Sequence, residues 1–194
     1  MTLNVFYNNI EPIVLKDELA EFLGFPEDGI IKIHYHEIVK MAGHSCVTVA
    51  GAYLMAYKGL KALYGNDMPK RGEIKVELRD SIADGSNGVV AAVLSNITGA
   101  ATENGFGGLA GNFSRKNLIY NDVAIDGVVR FTRMDTAKSV EVSYNPAKAV
   151  QPGNVMMTAI GPQATDESRK NFPKKWQEVI KTIFENMDAV VEVT

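Results

Sequence analysis

The chain has 194 residues, 46% hydrophobic and 22% charged, with a formal charge of −3. That length makes one domain with its own core the default, and the balance of charge supplies no basic field to displace counterions from a phosphate backbone, so no nucleic acid is expected as a partner. No stretch approaches the ~18 apolar residues of a membrane span, "MTLNVFYNNI" has no secretory pattern, and one cysteine cannot pair internally, so the expectation is a cytoplasmic protein with no membrane partner.

"EPIVLKDELAEFLG" spaces Ile13, Leu15, Leu19, Phe22 and Leu23 in a mostly helical manner, which predicts a first amphipathic helix ending at Gly24. "IIKIHYH" alternates apolar with polar residues and suits a short strand or an extended lead into the next helix; on a strand, His34 and His36 would share a face. "CVTVAGAYLMAYKGLKALYG" is apolar nearly all round and predicts a central buried helix stopped by Gly65. "GEIKVELRD" reads as a strand, and "SNGVVAAVLSNITG" as a second buried helix capped by Ser86 or Asn87. "LIYNDVA", "VVRFTR" and "SVEVSY" read as consecutive strands joined by short turns, and "NPAKAVQPGN" as a loop. Thr165 then caps a helix with Glu167 in its first turn, and Pro173 is placed to start a second helical segment. The expected architecture is a single mixed α+β domain, a central buried helix against an antiparallel-rich sheet over residues 1–150, with a C-terminal helical extension packed on it over 151–194.

All three histidines and the only cysteine, His34, His36, His44 and Cys46, fall within "IHYHEIVKMAGHSC". Imidazole and thiolate are the ligands that zinc and other borderline metals prefer, and a zinc site needs three or four of them. H-x-H-x7-H-x-C allows two ligands from an extended segment and two from the turn before a helix. A second reading makes Cys46 an activated thiol, since it stands where a helix begins, with a histidine nearby. The plainest reading is a small buried cysteine beside hydrogen-bonded histidines. Glu37 is the acid nearest the cluster and a candidate general base, although an acid at a helix start is ordinary in its own right.

"NGFGGLAGNFSRKN" contains G-x-G-x-x-A at Gly105, Gly107 and Ala110. A dinucleotide fingerprint needs a strand before it and a helix after it, and neither is expected here, so the segment reads as a loop able to approach a ligand or a neighbouring chain.

Three separated pieces, "AGHSCVTVAGAYLMAYKGLKAL", "FSRKNLIY" and "FTRMDTAKSVEV", resemble in order the Gly-His-x-Cys turn and helix, the Phe-Gly-Lys-Gly-Asn-Leu segment and the Arg-x-Asp-Thr-Gly-Lys-Ala stretch of the FmdE-like family, which takes its name from formylmethanofuran dehydrogenase. The resemblance covers approximately residues 30–145. It places Ala42 where the family's turn has its first histidine and keeps His44 and Cys46, so His36 or His34 is expected to replace the lost ligand, with His36 the nearer. The cysteine that usually precedes the second motif has no counterpart, which excludes a two-cysteine redox site. By resemblance, the expectations are an α+β core, a transition metal at the His/Cys turn and a homodimer, the last supported also by the apolar "FGGLAG". Formylmethanofuran does not follow as the substrate. The expected function is therefore a metal-binding protein, with zinc the first choice of metal; as a metalloenzyme it would act on a small-molecule substrate at an open coordination position. The alternative is a non-catalytic binder of haem or another cofactor through the same turn, and a third reading is a structural protein in which the cluster ties strand to helix.

Overall fold

The computed structural model describes residues 5–194. The helix expected over residues 11–24 is instead a strand and a short helix. Ile13–Lys16 forms β1, in which Ile13 and Leu15 are buried and alternate with half-buried Val14 and Lys16. This period of two, with β-branched residues in it, wins over the helical reading. Asp17 then caps α1, Glu18–Phe22, by accepting the amide hydrogens of Leu19 and Ala20. β1 pairs antiparallel with β2, Ile30–Ile33, setting Ile13 opposite Ile33. β2 ends before the histidines, and the chain turns at once into α2, Tyr35–Ala42.

The central helix is α3, Val47–Tyr64, ended by Gly65 at φ 60°. Twelve of its eighteen residues are buried, which requires neighbours on several sides. α2, α4 (Asn87–Thr98, with Ser86 at its N-cap), the sheet and the C-terminal helix supply them. Two helix glycines set the distance to the sheet. A Cβ at Gly51 would collide with the Tyr144 ring, and one at Gly59 would lie 2.8 Å from Phe131.

The main sheet has five strands in the order β4-β3-β5-β6-β7. β3 (Ile74–Leu78), β5 (Val129–Arg133) and β6 (Ser139–Tyr144) are the strands the sequence predicts, each antiparallel to its neighbour. β4, Ile119–Tyr120, departs from the expected chain-order meander. It lies parallel to β3 on the edge, with Val76 opposite Ile119, so β3 separates it from β5.

The C-terminal region is less uniformly helical than expected. α5 (Pro152–Ile160) begins inside the segment expected as a loop and packs on α6 (Asp166–Glu185). Thr165 caps α6 in a reciprocal box with Ser168. Pro173 starts no new segment but lies inside α6, costing it one backbone hydrogen bond. The helix is packed against α5 and α3. Val179, Ile180 and Ile183 bury the second half of α6 in the core. After α7, Met187–Val190, the chain returns to the sheet as β7, Val191–Val193, on the free side of β6. Among the described residues no helix is long and apolar enough to cross a membrane.

Candidate functional site

The site is the short connection between α2 and α3. Gly43 ends α2 in the left-handed conformation at φ 78°, with open space where a Cβ would stand, so the backbone angle rather than crowding favours glycine. His44 follows on the surface, its Nδ1 3.0 Å from the Ala42 carbonyl oxygen. A proton on Nδ1 donated to that oxygen leaves Nε2 with its lone pair free, the form in which imidazole binds a metal. Cys46, half-buried, is the N-cap of α3 in extended conformation, and its side chain makes no capping hydrogen bond. It therefore stands at the positive end of an 18-residue helix, the position the thiol reading requires.

The backbone on both sides of Cys46 is held by remote side chains. The Ser45 carbonyl accepts from Trp176 Nε1 at 3.1 Å, and the Val47 carbonyl accepts from the Tyr144 hydroxyl at 3.0 Å. Ser45 Oγ lies 2.8 Å from the Tyr35 hydroxyl. Burial pushes the Tyr35 and Tyr144 hydroxyls well above the usual tyrosine range, and the nearby Cys46 adds to both shifts. Both stay protonated and able to donate near neutral pH. Sequence reading missed these three side chains because nothing local marks them; Tyr144 and Trp176 lie 97 and 131 residues from the groups they hold.

His34 and His36 are placed differently. His34 is the N-cap of α2 and His36 lies in its first turn, so they do not share a strand face, yet their rings stack with centroids 5.3 Å apart. Glu37 Oε2 accepts the His34 amide hydrogen at 2.8 Å, which gives this acid a capping role. Among the described residues, no three His, Cys, Asp or Glu side chains come together in a group that could hold a metal ion. Among those residues, therefore, His34 and His36 are not brought into one three-ligand group with His44 and Cys46.

Beside His44 runs a groove of about 240 Å³ between α2 and α4. Ile38 and Met41 of α2 line it on one side, and Gly88, Val89, Ala92 and Val93 of α4 line it on the other. Met41 is 55% exposed along it.

A family model described as "FmdE, Molybdenum formylmethanofuran dehydrogenase operon" matches residues 41–192. It takes in the His/Cys turn, the sheet and the C-terminal helices, reaching well past the motifs legible by eye. His34 and His36 lie outside the matched residues. Among curated proteins, none matches this chain.

Proposed function

Because the chain belongs to the FmdE family, we propose that it is a binding protein whose turn offers two donors, His44 Nε2 and Cys46 Sγ, to a transition metal, zinc first, or to a metal-bearing cofactor. The observation that carries the reading is the turn itself: the only cysteine and an imidazole with a free nitrogen, two residues apart, on a backbone clamped from α2, β6 and α6. The remaining ligands come from outside the single chain, either from a bound small molecule or from a second copy, whose His36 and His34 have the right chemistry. The description of the family also supports a role associated with formylmethanofuran dehydrogenase.

A homodimer is part of this proposal. α5 has no buried residue although it is rich in apolar side chains, and Met157 and Ile160 are 52% and 71% exposed. An apolar helix left so open is suited to an interface. A second reading, haem with His44 or Cys46 as axial ligand, is favoured by the apolar groove beside His44, which would receive one edge of a flat ring.

Elemental analysis and a visible spectrum of protein purified without a histidine tag test both readings. Metal that is lost in His44→Ala and in Cys46→Ser supports the turn as the site, and a strong visible band lost in the same variants selects haem. Equal loss in His36→Ala and His34→Ala assigns the outside ligands to the second copy, and their retention assigns them to the bound molecule.

A further inference from the structure

A cavity of about 410 Å³ that shares no lining residue with the His/Cys turn is bounded by Glu18 and Leu19 of α1, by Arg71, Gly72 and Glu73 before β3, and by residues 111–115 after the glycine-rich loop. The most buried of its lining residues is Arg115, only 8% exposed, which places the guanidinium at the inner end. Arg115 Nη2 donates to Asp17 Oδ1 at 2.7 Å, and this is its one side-chain hydrogen bond among the described residues. Arg71 Nη1 donates to the other oxygen of Asp17 at 2.9 Å and its remaining nitrogens are spent on the Ile97 and Asn96 carbonyls. Asp17 also accepts two amide hydrogens of α1.

One carboxylate thus serves two guanidiniums, which leaves a surplus positive charge at the inner end, held by a side chain with donors to spare. The backbone is shaped around it: a Cβ at Gly72 would collide with Arg115 Nη1. The rim carries the opposite sign. Glu18 and Glu73 both face Lys70 at 3.5 Å, two carboxylates to one ammonium. The cavity is therefore positive inside and negative at its mouth, and these charges cancel only in sum. A simple anion would be repelled on the way in, and a simple cation would meet Arg115. The complementary ligand carries both charges a few ångströms apart.

We propose that this cavity is a binding site for a small zwitterion of amino-acid type, taken carboxylate first against Arg115, with its ammonium group drawn to the Glu18 and Glu73 carboxylates that Lys70, one ammonium for two, leaves short of positive charge. The site is independent of the His/Cys turn and needs no metal.

Titration calorimetry of the full chain against the common L-amino acids one by one, with acetate, inorganic phosphate and methylamine as controls, tests it. The expected result is binding of at least one amino acid, about tenfold or more tighter than its analogue lacking the amino group. Arg115 substitutions risk the fold, so the informative variants are Ser114→Asp, which adds a negative charge on an exposed wall residue, and Glu73→Gln at the rim. Each should weaken binding about tenfold or more while leaving the thermal midpoint of the free protein near that of the parent. Silence from every amino acid at millimolar concentration, binding unchanged in both variants, or phosphate or acetate binding as tightly as any amino acid would overturn the proposal.

Discussion

Asp17 shows how much one residue carries. Burial alone would push its carboxyl up, but the hydrogen bond from Arg71, the Ala20 amide and the charge of Arg115 outweigh that and hold it below the usual carboxylate range. A depressed folded-state pKa stabilises the protein above the unfolded value near 4 and ceases to do so as the pH falls through the folded value. Asp17→Asn should therefore flatten the acid limb of the stability curve below about pH 4, and should cost about 3–5 kcal/mol at neutral pH because it leaves two arginines sharing no charge partner. Urea unfolding across a pH series measures both effects. Within the turn, Trp176→Phe removes the donor to the Ser45 carbonyl and should cost about 1 kcal/mol, with weaker metal retention as the sign that the clamp positions Cys46.

Among the elements, α3 tests the packing most sharply. Gly51→Ala drives a methyl group into the Tyr144 ring and should cost about 1–3 kcal/mol by overpacking, read by denaturant unfolding. It should also loosen the Val47 carbonyl that Tyr144 holds. α3, α4, β3, β5 and β6 were legible in the sequence because each pattern matches its final burial. β1 was not, since Ile13 and Leu15 fit a helix with Leu19 and Phe22 as well as they fit a strand, and only pairing with β2 decides. β4 was read as part of the "LIYNDVA" strand, but its parallel place at the edge beside β3 depends on pairing that no local pattern shows, and β7 is three residues long, too short a run for periodicity to be read. The His/Cys cluster was visible as composition, but its division into a stacked pair at α2 and a separate turn before α3 depends on where the helices start.

For the whole molecule, the open face of α5 is the feature a monomer explains least. Met157→Asp with Ile160→Asp should turn a dimer into a monomer of nearly unchanged stability, since neither side chain is buried in one chain. Light scattering at micromolar concentration decides; a parent protein that is already monomeric contradicts the dimer. If the second copy completes the metal site, the same variant should lose metal along with its partner.

The measurement that bears most directly on the turn as a binding site is the metal and chromophore content of tag-free protein beside that of the His44→Ala/Cys46→Ser double variant, each shown to be folded by circular dichroism. The parent should hold a bound transition metal or haem and the double variant should lose nearly all of it, because no other imidazole and thiolate stand together in the chain. Full occupancy in the folded double variant would contradict it.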